Sequence, residues 1–164
     1  MNTMLACVSY IFHCKSEYDE PVETDARLQL ADFHNTKAYI PRITYGKVIK
    51  VYDGDTITIA AYLPESDEQV YKFSVRLRGI DSAEIRGSSP TEKQHAIVAR
   101  DALHAKIFNK YVKIDNVATE KYGRLLSDVY FEDCCINEWM LTNNYAVKYE
   151  GGTKLRDIAW DKPL

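Results

Sequence analysis

The sequence predicts an α+β domain built on a five-stranded β-barrel. Three observations predict it. Five short runs carry β-branched and aromatic residues in strand-like order. One well-capped helix falls between the third run and the fourth. No repeat or low-complexity tract interrupts the order.

The elements follow in order. Residues 1–42 differ from the rest and are read as an extension of unknown role ahead of a domain at 43–164. They carry the acidic stretch "KSEYDEPVETD" and a possible short helix around Ala26–Phe33. The first strand is Thr44–Tyr52. "DGD" then makes a tight turn, because an Asp-Gly pair between apolar runs is a strong hairpin signal and Gly accepts positive φ. Thr56–Leu63 is the second strand, and "LPESDEQ" is read as a polar loop. Tyr71, Phe73, Val75 and Leu77 alternate with Lys72, Ser74, Arg76 and Arg78, a half-buried third strand with the arginines on its polar face. Ser89 suits a helix N-cap, Pro90 the first helical position, and Glu92 closes a capping box. That helix runs to about Asn109. Strands follow at Tyr111–Val117 and Leu125–Phe131, then a short helix at about Ile136–Asn143. This order matches an OB-fold, a five-stranded Greek-key barrel that binds along one face and its loops.

Composition narrows the function. The 164 residues carry a net charge of −3 and 46 % hydrophobic residues. That supports a packed core and excludes a membrane span, since no apolar run is long enough. An acidic chain also excludes broad electrostatic binding of nucleic acid, while a small site with a few arginines stays open. Cys7, Cys14, Cys134 and Cys135 lack CxxC spacing and read as reduced thiols of an intracellular protein. The opening "MNTMLACVSYIFHC" has no basic n-region, and His13 and Lys15 end its apolar stretch early, so we expect no signal peptide. Cys7, His13 and Cys14 lack a fourth zinc ligand, and a loose tail is the plainer reading.

Three segments carry possible chemistry. In "KVYDGDTITI", Asp53 and Asp55 flank Gly54. In "VRLRGIDSAEIRG", Gly79 turns the chain and Asp81, Ser82 and Glu84 follow closely. A barrel brings this loop near the Asp55 turn. Asp55 and Asp81 are then two hard oxygen ligands and a carbonyl near Ser82 a third, a set that suits Ca²⁺ or a similar cation. In "EKYGRLL", Gly123 marks a turn and Arg124 stands at the entry to the fifth strand. Taken singly, each acid also reads as a solvated loop carboxylate, and each arginine as a surface cation.

Together, "DGDT", "R-x4-D-S-x-E" and "KYGR" resemble the staphylococcal nuclease-like (thermonuclease) family in order and spacing, from about Lys47 to Lys154. The resemblance implies the OB-fold, a divalent cation (usually Ca²⁺) and phosphodiester hydrolysis of DNA and RNA, preferably single-stranded, leaving a 3′-phosphate. By motif position Asp55 and Asp81 look like metal carboxylates, and Ser82 like the residue lending its carbonyl. Arg76 and Arg124 look like phosphate-binding arginines, Glu84 like the general base or water-positioning carboxylate, and Asp53 like a supporting acid behind the metal ligands. Lys121, Tyr122 and Tyr149 are candidate substrate contacts, Lys121 for a phosphate and the tyrosines for base stacking. For Tyr145, barrel packing is the better reading. We expect a monomer.

Two departures stand out. Ser82 replaces the family's usual Thr, and Ala83 its usual Pro, which loosens the loop that positions Glu84. The chain also ends soon after "KLRDIAWDKPL", so the C-terminal helix is expected to be short or missing. The competing reading is a catalytically weak or inactive OB-type module that binds nucleic acid or a protein. The full set of arginines and acids favours the enzyme. Oligosaccharide binding has no support beyond the fold.

Overall fold

A computed structural model of the chain describes residues 26–64, 66–87, 89–120, 123–152 and 160. The described residues fall into two compact units, divided between Lys37 and Ala38. In the first, helix α1 spans only Ala26–Gln29. It stops short of Phe33 because side chains capture the backbone that would continue it. Asp32 N donates to Asn35 Oδ1 (2.8 Å), and Asn35 Nδ2 donates to Leu30 O (2.8 Å). Cys7, His13 and Cys14 lie outside the described residues.

The second unit holds strands β1 (Tyr45–Val51), β2 (Thr56–Leu63), β3 (Ser66–Leu77) and β4 (Ile80–Asp81), and then helix α2 (Pro90–Ile107). Strands β5 (Tyr111–Thr119), β6 (Leu125–Phe131) and β7 (Cys134–Cys135) follow, then helix α3 (Ile136–Thr142) and strand β8 (Val147–Lys148). The five long strands run β3-β2-β1-β5-β6, and β6 returns to pair with β3 in parallel, which closes the barrel. The expected five-stranded OB-type barrel with a helix between its third and fourth long strands is present.

Alternation decides which side chains fill it. Ile57 and Ile59 from β2, Val75 and Leu77 from β3, and Val112 and Ile114 from β5 all point inward. Leu103 and Ile107 of α2 and Ile136 and Met140 of α3 join the same core. The parallel seam between β3 and β6 is pinned by Asn137 on α3. Its Nδ2 donates to Arg78 O (2.9 Å) and Ser127 O (3.3 Å), and its Oδ1 accepts from Val129 N (3.0 Å). A buried amide satisfied in this way joins helix and both strands without leaving a polar group unpaired.

Several boundaries move. β3 begins at Ser66, inside the segment read as a loop, because its ladder with β2 continues through Tyr62↔Val70 to Leu63↔Ser66. Backbone bonding needs no apolar side chain to extend a hairpin. Ser89 caps α2 as expected, its hydroxyl accepting from Glu92 N (3.0 Å). The helix ends at Ile107 instead of Asn109. Asn109 adopts φ 63° and gives its N–H to Val48 O (2.9 Å) on β1. β4 and its ladder with β8 were not expected. The two strands pair Ile80↔Lys148 and Asp81↔Val147, tying the loop after β3 to the segment after α3. The C-terminal stretch, whose helix was expected to be short or missing, lies outside the described residues, apart from Trp160. Among the described residues no helix is long and apolar enough to cross a membrane.

Candidate active site

The site is built by strand register. β2 pairs Thr56 with Arg76 on β3, so Asp55, one residue earlier, lies beside that arginine. The parallel seam pairs Val75 with Leu125, which brings Arg124 to the same end of the barrel as Arg76. Gly79, at φ 74°, turns the chain after β3 and returns Asp81 toward Arg76.

Arg76 is the centre of the site. The third strand's alternation places it on the polar face, yet it is only 7 % exposed, because the two loops and the β5–β6 turn cover that face. Its Nη1 stands 2.7 Å from Asp55 Oδ2, its Nη2 2.8 Å from Asp81 Oδ1, and its Nε 3.8 Å from Glu120 Oε1. Burial opposes the Arg76 charge, but Asp55, Asp81 and Glu120 more than offset it and raise its pKa. Arg124 Nη2 lies 2.7 Å from Glu120 Oε2, and Arg124 Nε is buried with no acceptor among the described residues.

Asp55 is 2 % exposed. Thr56 Oγ1 donates to its Oδ1 (2.8 Å), and Ser82 N donates to its Oδ2 (3.4 Å). Burial, and then the charge of Asp53, push the Asp55 carboxyl up to about 7, against Arg76 and the Thr56 hydroxyl. Asp53 Oδ1 accepts from Asp55 N (3.3 Å), so the two acids share one tight turn. Gly54 between them does not take positive φ, contrary to the hairpin expectation. It is needed for close approach instead. A Cβ there would stand 2.8 Å from both Ala99 Cβ on α2 and Ser82 Cβ.

Asp55, Asp81 and Ser82 therefore converge, while among the described residues no three His, Cys, Asp or Glu side chains gather as a metal cage. Two carboxylates with a neighbouring carbonyl suit a hard cation that keeps several of its waters. A cleft of about 430 Å³ opens beside this cluster, lined by Asp53, Asp55, Arg76, Glu84, Arg86 and Arg124 among others; Asp81 and Ser82 stand behind Asp55 and are not among its lining residues. A larger groove of about 830 Å³ adjoins it, and Arg76 and Arg124 line both. Tyr149 lines the groove, its hydroxyl donating to Gly152 O (2.9 Å). Lys121 and Tyr122 lie outside the described residues.

The sequence model of the family described as staphylococcal nuclease homologue matches residues 74–158, just over half of the chain. The chain belongs to this family. It is 33 % identical over 93 residues to a probable endonuclease of Schizosaccharomyces pombe, an alignment covering 52 % of this chain and 40 % of that protein. It is 33 % identical over 100 residues to a probable staphylococcal-like nuclease of Oryza sativa subsp. japonica, covering 59 % and 26 %. An uncharacterized protein of Methanocaldococcus jannaschii is 31 % identical over 137 residues, covering 69 % and 63 %. The chain thus spans less than half the length of the first two relatives.

Within this nuclease-family chain, two residues differ from their expected surroundings and a third was given no role. Arg78 is a strut: it bonds to Asn116 O and Leu126 O and lies 3.8 Å from Asp128. Ala83 is fully buried, in a small cluster with Ala96 and Trp160, and Ile85 and Val147 pack on it. The loop carrying Ser82 and Glu84 is thereby held by packing, where a proline was missed. Glu120 had no assigned role, although it stands four residues before Arg124 in the quoted "EKYGR". Its only signal in sequence was an acid at the mouth of that turn. Tyr145 packs as expected, its ring 5.4 Å from that of Trp139.

Proposed function

We propose that the chain is a cation-dependent nuclease that hydrolyses phosphodiester bonds of DNA, RNA or both, taking single strands and leaving 3′-phosphate ends. One observation carries the reading. Two guanidiniums stand side by side where an acid-lined cleft meets a groove, and Arg124 Nε is a buried donor with no acceptor among the described residues. A phosphoryl oxygen supplies the missing acceptor. The printed names of the relatives, an endonuclease and a staphylococcal-like nuclease, support the same class.

Each residue then has a task. Arg76 and Arg124 donate N–H bonds to the phosphoryl oxygens as negative charge builds on them. Guanidinium does this well because it is always charged and forks. Losing one such preorganised donor costs roughly 3–4 kcal/mol of barrier. Glu84 lines the cleft, and its carboxylate orients the attacking water and accepts its proton. Asp55, Asp81 and the Ser82 carbonyl would hold the cation, with Asp53 behind Asp55. When bound, Ca²⁺ supplies Lewis-acid polarisation of the phosphate. Asp53, Asp55 and Glu84 line the cleft beside the arginines, and Asp81 and Glu120 lie against Arg76, so a cation also relieves the repulsion a polyanion would meet. Tyr149 offers a stacking face in the groove.

The test is incubation of the full chain with single-stranded DNA or RNA, with Ca²⁺ or with excess chelator, followed by end-group analysis. Cation-dependent cleavage to 3′-phosphate ends is expected. Undiminished cleavage in chelator would remove the Asp55–Asp81 cation site. Binding without cleavage under any divalent cation would make the OB-type binding module the correct reading.

A further inference from the structure

Glu120 is the one acid of the cluster without a task in that reading. It follows β5 and closes the turn into β6. Glu120 N donates to Arg124 O (2.8 Å), and Gly123 N donates to Glu120 O (3.2 Å). The same carboxylate spans both arginines, Oε2 at 2.7 Å from Arg124 and Oε1 at 3.8 Å from Arg76. The two guanidiniums do not depend on it equally. Asp55 and Asp81 already grip Arg76 at Nη1 and Nη2. Among the described residues Arg124 has no carboxylate partner other than Glu120. Glu120 also approaches from one side only: it lines the groove and not the cleft, whereas both arginines line both.

We propose that Glu120 is a positioning residue that fixes Arg124 beside Arg76 and leaves the Arg124 Nε–H free for a phosphoryl oxygen. The geometric part stands alone, and its catalytic consequence rests on the nuclease reading above. Charge alone makes the opposite prediction. A carboxylate beside a phosphate site repels the substrate, so removing its charge should tighten binding and leave turnover alone. Positioning predicts slower turnover without weaker binding. A neutral amide forms no charge-assisted pair, and a loosened guanidinium loses the orientation that the transition state uses.

The test compares the full chain with Glu120→Gln. On a single-stranded oligonucleotide with Ca²⁺, kcat is expected to fall about tenfold or more while KM stays equal or falls. In an Arg124→Lys background the same change should cost little further, since both act on one interaction. A third readout needs no cleavage. In a nitrogen-labelled sample the Arg124 Nε–H resonance should be distinct in the parent and merge with those of mobile arginines in Glu120→Gln. Parental kcat with only KM lowered, full additivity with Arg124→Lys, or an unchanged Arg124 resonance would each overturn the proposal. If the parent cleaves nothing, the nuclease reading fails, and the resonance still decides the role of Glu120. If Glu120→Gln does not fold, Glu120→Asp, one methylene too short to span both arginines, is measured in the same ways.

Discussion

Arg76 Nη1 lies 2.7 Å from Asp55 Oδ2, and both side chains are buried. The pair joins the β1–β2 turn to β3, so it belongs to the fold as much as to the site. Lysine at position 76 keeps one charge but cannot face three carboxylates. Arg76→Lys is therefore expected to lose about 1–3 kcal/mol of stability, from buried acids left without donors. Turnover should also fall roughly 10²-fold or more. Urea unfolding beside turnover measures both. A parental unfolding midpoint would show that the ammonium satisfies the cage.

Arg124 differs, its side chain being 31 % exposed with a single carboxylate partner among the described residues. Arg124→Lys should unfold within about 0.5 kcal/mol of the parent. Its turnover should fall about 10²-fold, because lysine lacks the planar fork. Cleavage within about threefold of the parent, less than 1 kcal/mol of barrier, would take Arg124 out of the mechanism. Combined with Arg76→Lys, the loss should be smaller than the product of the two, since both serve one phosphate.

Asp55 sets a pH dependence. Its carboxyl is raised from 3.8 to about 7 in the folded chain, first by burial and then by Asp53. Between those values the folded chain keeps a proton that the unfolded chain has lost. Stability from this group is thus fully present below about pH 4 and is lost as pH rises through about 7. Asp55→Asn should flatten that fall. Urea unfolding of both proteins across the window reads it, and parallel curves would show that Asp55 does not titrate there. At neutral pH, Ca²⁺ should raise the parent's melting temperature and leave that of Asp55→Asn unchanged, since a ligand stabilises only the state that binds it.

Gly54→Ala tests the close packing of α2 on the acidic turn. The added methyl meets Ala99 and Ser82 at 2.8 Å, and neither Cβ can swing away. The expected cost is about 1–3 kcal/mol of stability. Turnover should fall too, because the displaced neighbour is Ser82 beside Asp55. An alanine variant that melts and cleaves like the parent would mean that α2 can draw back.

Much of this molecule is written in local pattern. The alternation of Ile57, Ile59 and Ala61, and of Val75 with Leu77, placed the barrel strands and their inward faces. Ser89 and Pro90 announced α2. Such signals are legible because strand period and helix caps involve residues a few positions apart. The motif residues were legible as types and spacings, and Asp53, Asp55, Arg76, Glu84 and Arg124 do line one cleft. The polar "ESDEQ" hid the start of β3, since its pairing is a matter of backbone.

What the tertiary structure alone decided is what those side chains touch. Arg76 looked solvent-facing because its strand has an outer face, and it is buried because loops from elsewhere in the chain cover that face. Gly54 looked like a turn glycine, and α2 made it a contact glycine. Ala83 looked like a loosened loop until Trp160, 4 % exposed, was found packed in its cluster. Glu120 acquired its place between two arginines only when β6 paired in parallel with β3. The sequence by itself determined the barrel's order and the chemistry of the groups at its end. Closure of that barrel decided their burial, charge pairing and orientation, because those depend on contacts between residues far apart in the chain, which no local spacing encodes.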